Sequence, residues 1–317
     1  MASEFDLIAR YFTRPAHHTA LSIGDDAALI SINEQMELAI SVDMLVAGTH
    51  FFHDADAYKL GWKSLAVNIS DMAAMGAQPR WATLAIALPE IHEPWLAEFS
   101  RGFFHCADAF NVDLIGGDTT RGPLTISVQI MGETPIGKAI KRNGAKPDDD
   151  IWVSGNLGSA ALGLAHLQKK VNIPTSALCI CLEALNAPTP RVALGLALRN
   201  IANSCIDISD GLMADLGHIL KASDVGASIE LSHVPCHDFL REHLTNQAYQ
   251  QYVLAGGDDY ELVFTAPKSQ RDNIHQLSKT LNLPLSLIGQ TTQHSNVNVT
   301  FNHEKIELSK KGFDHFG

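Results

Sequence analysis

Cysteine is scarce in this sequence, and its spacing suggests neither a zinc site nor a disulfide framework. Five cysteines occur among 317 residues and none forms a CxxC pair. Cys179 and Cys181 lie too close together for a usual zinc pair. The fifteen histidines show no HExxH or zinc-finger spacing. Free, mostly buried thiols in a reducing compartment fit this pattern.

Long hydrophobic runs and a basic leader are also missing. The longest apolar stretches, such as residues 81–89, fall far short of the roughly 20 residues that a membrane span needs. The N-terminus carries acidic residues and no basic region followed by an apolar core. We therefore expect no membrane partner, no secretory signal and a cytoplasmic location.

Basic residues are fewer than acidic residues in this sequence. Lys and Arg total 23 against 35 Asp and Glu, a formal net charge of −12. No local basic stripe is evident, so nucleic acid is not an expected partner. The phosphate-binding pattern GxxxxGK[ST] and the protein-kinase signatures are absent, which excludes those two enzyme classes. An acidic protein that handles phosphates needs cations as intermediaries.

The composition is typical of a globular protein, with 46% hydrophobic and 18% charged residues. Predicted strands (36–42, 81–88, 112–115, 124–131) and helices (60–75, 94–110) alternate in the first half, and the alternation continues in the second half. This pattern predicts an α/β fold. The length favours two domains, which we place at residues 1–137 and 138–317 because residues 138–150 form a polar junction.

Aspartates recur where predicted apolar elements end. They are Asp25 and Asp26 after Gly24, then Asp43, Asp71, Asp118, Asp207 and Asp210. Each motif alone is ordinary turn or helix-cap chemistry. Together, they supply the hard oxygen ligands that magnesium prefers, at the positions where α/β sites form. The sequence therefore predicts a magnesium–nucleotide site.

Charge balance indicates several metal ions at that site. About six carboxylates facing a nucleotide of charge near −4 would repel one another and the ligand. Roughly three or more divalent ions would be needed to approach neutrality. If the aspartates converge, the site holds more than one metal.

A few other residues have both a functional and a structural interpretation. Arg121 and Arg142 are the best cationic candidates for contacting phosphate oxygens, or are solvated surface charges. Asn68 is either a polar helix residue or part of the metal surroundings. The glycine-rich residues 154–159 precede a helix and could cradle a phosphate, although a tight turn with close helix packing is the favoured interpretation.

With these residues in view, the chain resembles the thiamine-monophosphate kinase family, within the superfamily of aminoimidazole ribonucleotide synthetase. The stretch Leu-Val-Ala-Gly-Thr-His-Phe at residues 45–51 and the tail Lys-Gly-Phe-Asp-His-Phe at residues 311–316 favour this family over others of the superfamily. The matching stretches are residues 23–28, 41–51, 66–76, 114–122, 142–148, 206–212, 256–262 and 311–316.

The resemblance implies two α/β domains. The first would carry metal and ATP ligands and pair its sheet across a homodimer, and the second would complete the ATP and substrate site. The implied reaction transfers the γ-phosphoryl group of ATP directly, in line, to thiamine phosphate. Its product is thiamine diphosphate, and this is the last step of thiamine diphosphate biosynthesis. Several magnesium ions would assist, and no Ser, His or Cys nucleophile is expected.

The resemblance also implies roles for individual residues. Val42 stands where the family commonly has Thr, and would contribute a backbone carbonyl. Asp258 stands where Glu is commoner, which shortens its reach by one methylene. The implied metal ligands are Asp26, Ser41, Val42, Asp43, Asp71, Asp118, Asp207 and Asp210. The implied ATP contacts are Gly117, Asp118, Arg142 and Ser209, the catalytic set is Asp71, Asp118, Asp210 and Arg142, and the thiamine phosphate contacts are His50, Asp258 and Phe313.

Two kinds of alternative remain open at this point. One is another ATP-using enzyme of the superfamily, such as aminoimidazole ribonucleotide synthetase or selenophosphate synthetase. Selenophosphate synthetase needs a reactive Cys or selenocysteine near the N-terminus, whereas the first cysteine here is Cys106. The other is a nucleotide-binding regulatory or maturation protein that does not turn over.

Overall fold

The computed structural model describes residues 4–314, and these divide into two compact units. One unit contains the residues up to Met72 together with Ala77–Gly137. The other contains Ala73–Gly76 and the residues from Lys138 onward. The α/β class predicted from the alternation of elements is confirmed.

The first unit is a mixed sheet with two long helices. Within the described residues its strands are ordered β1-β4-β2-β3, with β2 and β3 parallel and the other neighbours antiparallel. The strands are β1 Met36–Val46, β2 Gln78–Leu88, β3 Asp113–Arg121 and β4 Thr125–Pro135. The helices are α1 Glu4–Leu7, a π-helical turn Ile8–Phe12, α2 Ala57–Ala74 and α3 Glu93–Phe110.

Local sequence explains where α3 begins and ends. Pro94 occupies the first turn, where its missing N–H costs nothing. His92 caps this end by accepting the Trp95 N–H. Asn111 ends the helix in the left-handed region, at φ 55°. Phe99 and Phe103 of this helix are fully buried in the core of the unit.

The edge strand β1 has two different faces. Ser41 and Asp43 are half-buried, whereas Ile40, Val42 and Met44 are 57%, 61% and 55% exposed. Because side chains alternate along a strand, these three apolar side chains share one face. The unit thus leaves an apolar stripe on its edge strand.

Two predicted strand ends were wrong. Asp43 was expected to end a strand, but it lies within β1 and pairs with Val128. Gly117 and Asp118 were expected to follow a strand, but they lie within β3, where Asp118 pairs with Ala85. The partners are distant in sequence, and their pairing overrides the low strand propensity of Gly and Asp.

The second unit contains a larger mixed sheet. Within the described residues its strand order is β11-β10-β7-β9-β5-β8-β6. The strands are β5 Asp150–Ser154, β6 Ser204–Asp207, β7 Gly226–Glu230, β8 Leu262–Ala266, β9 Leu285–Thr292, β10 Val297–Phe301 and β11 Glu304–Lys305. The helices are α4 Ser159–Leu167, α5 Thr175–Asn186, α6 Val192–Leu198, α7 Leu212–Ser223, α8 Asp238–Glu242, α9 Gln247–Ala255 and α10 Arg271–Leu281, with 3-10 turns at Leu231–His233 and Lys268–Gln270.

The core of this unit includes a polar network. β5 and β8 are buried along their whole length. The buried carboxylate of Glu261 accepts two hydrogen bonds from Arg191, including one from Nε at 2.7 Å, and one from the Ser154 hydroxyl. The network joins the start of α6 to β5 and β8.

None of the helices in residues 4–314 has the length and hydrophobicity that a membrane crossing requires.

The Arg191–Glu261 pair provides a test of this packing. Arg191→Met should lower the free energy of unfolding by about 3 kcal/mol, because it leaves a buried carboxylate without its countercharge. Urea denaturation followed by circular dichroism would measure the loss. The double variant R191M/E261Q removes the buried charge and should recover part of the stability. An equal loss in the single and double variants would contradict this interpretation.

Candidate active site

In the first unit, strand β1 is tied to helix α2 through predicted metal ligands. The Ser41 hydroxyl donates to Asp71 Oδ2 at 2.5 Å. The backbone N–H of Asp43 donates to Asn68 Oδ1 at 3.0 Å, and Asn68 Nδ2 donates to the Ser64 carbonyl. Asn68 is therefore a buried structural link between helix and strand. The contacts bring the carboxylates of β1 and α2 to neighbouring positions.

A cavity of about 630 Å³ brings together three more of the predicted residues. Its polar side is formed by the 24–26 turn and by β3, which contribute Asp26, Gly117 and Asp118. Apolar side chains of the N-terminal helical segment, including Phe5 and Phe12, form another part of its wall. The cavity therefore places carboxylates beside an apolar surface, an arrangement that suits a nucleotide only when cations lie between the carboxylates and the phosphates.

Gly117 is required by close contact between strands. A Cβ atom at this position would lie 1.8 Å from the Leu84 carbonyl oxygen, and φ is +154°. At the neighbouring Gly116, a Cβ would meet nothing closer than the Thr83 methyl at 3.9 Å. The glycine pair therefore has one position that tolerates a side chain and one that does not.

Asp113, which the sequence interpretation missed, anchors the chain before the 24–26 turn. Its buried carboxylate accepts the backbone N–H groups of His17 and His18 at 2.7 and 2.6 Å. Trp81 Nε1 donates to the His18 carbonyl at 2.9 Å. Because Asp113 begins the strand that carries Asp118, one strand supports both parts of the cavity wall.

His50 lies in the turn after β1. Its Nδ1 accepts the Val46 N–H at 2.9 Å, while its own N–H donates to the Val46 carbonyl. In the neutral ring this arrangement assigns the proton to Nε2. The turn therefore presents a hydrogen-bond donor at the ring's other nitrogen.

In the second unit, residues 208–211 form a loop between β6 and α7, called the 208–211 loop below. The Ser209 carbonyl accepts the Asp258 N–H at 2.8 Å, and the Ile208 carbonyl accepts the Tyr260 N–H at 2.8 Å. The Asp210 carbonyl accepts the Phe313 N–H at 3.0 Å. Ser209, Asp210, Asp258 and Phe313, predicted from separate stretches of sequence, are thus brought together by backbone hydrogen bonds.

Asp215 lies beneath this loop and was not among the predicted residues. It is 3% exposed, and its Oδ2 accepts the N–H groups of Asp210 and Gly211, each at 3.0 Å. Burial raises the pKa of Asp215 to about 7, with a contribution from the nearby Asp210 charge, and the backbone donors oppose that rise. The signal in the sequence is an acidic residue in the first turn of a predicted helix.

The predicted acceptor residues have distinctive geometry. Asp258 has φ +69° and Tyr260 has φ +49°, both in the left-handed region. Tyr260 Oη donates to Asp258 Oδ1 at 3.3 Å. Phe313 is 53% exposed and presents an aromatic face at the surface. His315 and Phe316 of the predicted tail lie outside the described residues.

Three further predicted residues, Asp207, Arg142 and Arg121, have backbone or side-chain contacts of their own. Asp207 is buried at the end of β6, where it pairs with Leu262. The Arg142 carbonyl accepts the Ser223 hydroxyl at the far end of α7, about 18 Å of helix from Asp210. Arg121, in the other unit, donates to the Pro89 carbonyl at 3.3 Å. The backbone of Arg142 therefore lies at the opposite end of α7 from the 208–211 loop.

The glycine-rich residues 154–159 donate a backbone hydrogen bond to a carboxylate of the protein itself, that of Asp259. Asp259 Oδ2 accepts the Gly158 N–H at 2.8 Å, and the Ala160 N–H also contributes. Burial raises the pKa of Asp259 well above its ordinary range. The arrangement caps α4 in the way a bound phosphate would, which supports the interpretation of this segment as a tight turn.

Comparison with known proteins agrees with these features. The model of the AIR synthase related protein N-terminal domain matches residues 24–134, and that of the C-terminal domain matches residues 146–302. Thiamine-monophosphate kinase of Escherichia coli K12 is 46% identical over 318 residues, covering 99% of this chain and 98% of that protein.

The chain belongs to the thiamine-monophosphate kinase family. The crystal structure of thiamine-monophosphate kinase from Stenotrophomonas maltophilia K279a is 44% identical, covers 95% of each chain and has a TM-score of 0.85. The structure of AaThiL complexed with AMPPCP and TMP is 29% identical, covers 93% of this chain and 92% of that chain, and has a TM-score of 0.78.

The oxygen donors of the first unit fit magnesium when a phosphate ligand supplies the remaining coordination. Within residues 4–314, no group of three or more His, Cys, Asp or Glu side chains is arranged to hold a metal ion by itself. Magnesium is commonly held by one or two carboxylates, with water and substrate phosphates completing its coordination. The paired oxygens of Ser41 and Asp71, and the carboxylates on the cavity wall, therefore fit this ion in the presence of a phosphate ligand.

The two adjacent glycines of β3 give a matched test of the cavity wall. Gly117→Ala should lower the free energy of unfolding by more than about 1 kcal/mol, because the methyl group collides with backbone and the residue adopts positive φ. Gly116→Ala should have a much smaller effect. Chemical denaturation of both variants measures the difference, and equal losses would contradict the strand geometry described above.

Proposed function

We propose that this protein transfers the γ-phosphoryl group of ATP to thiamine phosphate, giving thiamine diphosphate and ADP. The observation that carries the proposal is the 208–211 loop, whose backbone joins a predicted nucleotide-binding segment to two predicted acceptor-binding segments. The near full-length similarity to thiamine-monophosphate kinases supports it, as does the AaThiL complex with AMPPCP and TMP. A cytoplasmic location remains part of the proposal.

The proposed metal ligands are oxygen donors, as magnesium prefers. Bound magnesium would neutralise phosphate charge and so lower the repulsion between donor and acceptor phosphates. Charge balance supports three or more ions. The proposed ligands are the side chains of Asp26, Ser41, Asp43, Asp71, Asp118, Asp207 and Asp210, and the backbone carbonyl of Val42, whose side chain lies on the exposed face of β1.

The proposed ATP contacts are the backbone at Gly117 together with Asp118, Ser209 and Arg142. Gly117 allows the backbone to approach a ligand closely, and the exposed Arg142 can place a guanidinium against phosphate oxygens. The acceptor phosphate is already ionised near neutral pH, so the reaction needs no strong general base. The protein's contribution is to position the two phosphates in line and to balance their charge.

The proposed acceptor contacts are His50, Asp258 and Phe313. Phe313 offers a half-exposed aromatic face, which suits a flat heterocycle with a permanent positive charge. Asp258 supplies a negative charge for the same cation. His50 can donate from Nε2 to the acceptor phosphate.

Replacement of the central aspartates tests this assignment. Asp71→Asn and Asp210→Asn should each lower kcat by on the order of 100-fold or more while leaving the fold intact, because the amide keeps the shape and loses the charge. ADP release measured with ATP, magnesium and thiamine phosphate gives the rate, and thermal unfolding reports the fold. Asp272→Asn, an exposed charge on α10, is the matched control. Unimpaired turnover in both site variants would refute the assignment.

The same assay separates the proposal from a non-catalytic role. A regulatory protein would bind nucleotide without releasing ADP faster when thiamine phosphate is added. An aminoimidazole ribonucleotide synthetase would release ADP with its own substrate and not with thiamine phosphate.

We also propose that the first unit pairs with its copy to form a homodimer. The support is the stripe of Ile40, Val42 and Met44 on β1, each more than half exposed. An exposed apolar edge strand is a liability unless it is covered. A second copy provides the same stripe, as a two-fold symmetric interface requires.

Charge placed on the stripe tests the dimer. Ile40→Lys and Met44→Lys should shift the protein from dimer to monomer in light scattering coupled to gel filtration, because the interface would bury like charges. Ile91→Lys places the same charge on another exposed apolar residue and should leave the dimer unchanged. A wild-type monomer, or dimers in all three variants, would contradict the proposal.

A further inference from the structure

The 208–211 loop uses its backbone in two directions. Its carbonyls accept hydrogen bonds from Asp258, Tyr260 and Phe313, which belong to two other segments of the second unit. Its N–H groups at Asp210 and Gly211 donate hydrogen bonds to the carboxylate of Asp215. The position of those two segments therefore depends on the orientation of this short piece of backbone.

Close packing confines the loop on the carbonyl side. A Cβ atom at Gly257 would lie 2.4 Å from the Ser209 carbonyl oxygen, and one at Gly312 would lie 2.8 Å from that of Asp210. Backbone thus lies directly against backbone at both contacts. A small rotation of the 208–211 loop would be transmitted to both neighbouring segments, since no flexible side chain intervenes at these points.

Asp215 fixes the loop on the other side. Its carboxylate accepts from Asp210 and Gly211, and the Ser209 N–H also contributes. Its own N–H donates to the Gly211 carbonyl at 3.0 Å. The side chain is almost fully buried in the first turn of α7. A single carboxylate therefore sets the peptide orientation of the entire turn.

We infer that Asp215 is a positioning residue for the phosphoryl transfer. It holds the 208–211 loop so that Ser209 and Asp210 face the nucleotide while their carbonyls keep Asp258 and Phe313 in place for the acceptor. The inference rests on the proposed function for the identity of the two ligands. Asp215 acts through the backbone and touches neither ligand.

The expected consequence is a joint effect on two substrates. A residue that merely stabilises the fold lowers the amount of folded enzyme and leaves the KM values of that enzyme unchanged. Loss of Asp215 should instead displace the nucleotide-binding and acceptor-binding segments together. Both KM values should then rise, and kcat should fall because the reacting groups are misaligned.

Asp215→Ala is the principal variant, and Asp149→Ala is its matched control. Asp149 is also 3% exposed, and it accepts the Lys146 N–H and the Asn203 amide, both at 2.8 Å. Both variants should lower the Tm. D215A alone should raise the KM values for ATP and for thiamine phosphate, each by about tenfold, because it removes the hydrogen bonds that hold the 208–211 loop.

Asp215→Asn serves if the alanine variant does not fold. It keeps an oxygen that can accept from the loop, and should restore KM values to within about threefold of wild type, since both loop N–H groups retain an acceptor. Wild-type KM values in D215A, or equal increases in D149A, would overturn the inference. So would an asparagine variant with folded-state kinetics as impaired as those of D215A.

Hydrogen exchange separates this inference from the proposed function. In the unliganded protein, D215A should speed amide exchange in peptides covering residues 208–211, 257–260 and 310–314, whereas D149A should not. Unchanged exchange in the first two peptides would overturn the inference whatever the activity. A wild-type protein that releases no ADP with thiamine phosphate would instead refute the proposed function, and the exchange data would still decide the role of Asp215.

Discussion

The hydrogen bonds between the 208–211 loop and its neighbours are the constraint on which the site of the second unit depends. Turns that carry ligands have few side chains of their own to define them, so their shape has to come from what the backbone contacts. In this loop the carbonyls meet two other segments and the amides meet Asp215. The backbone at Asp210 is thus held from both sides, by Phe313 at its carbonyl and by Asp215 at its N–H.

In the first unit, other side chains hold the backbone near the predicted ligands. Asn68, a neutral amide, accepts the Asp43 N–H and fixes the backbone of β1 at that residue. Asp113 holds the residues before the 24–26 turn from the start of β3. In both units, side chains outside the predicted ligand sets hold the backbone: Asn68 at Asp43, Asp113 before the 24–26 turn, and Asp215 at Asp210. Asp113 and Asp215 were missed in the sequence because their contacts are to backbone N–H groups, which no residue pattern identifies.

The local features of the fold were accessible from the sequence, and the long-range ones were not. The Gly-Asp turn at residues 24–26 and the Ser-Asp-Gly loop before α7 were visible because glycine and aspartate have specific backbone preferences. The strands through Asp43 and Asp118 were predicted too short, because their extent is decided by pairing with Val128 and Ala85. Phe313 entered through family resemblance alone. Its backbone hydrogen bond to Asp210 joins residues that are far apart in sequence, and no local sequence pattern predicts such a contact.

Asp258 has an unusual backbone conformation and is also a proposed contact of the acceptor. The family resemblance implies that glutamate is commoner there, and its side chain would reach one methylene further. In this chain the residue sits at φ +69° with its N–H fixed to the Ser209 carbonyl. Aspartate adopts the left-handed region more readily than longer side chains do, because its short carboxylate can interact with nearby backbone. The shorter side chain therefore relieves strain at the point where the turn contacts the 208–211 loop. Under the proposed function, the position of the turn has to recover the reach that the shorter side chain loses.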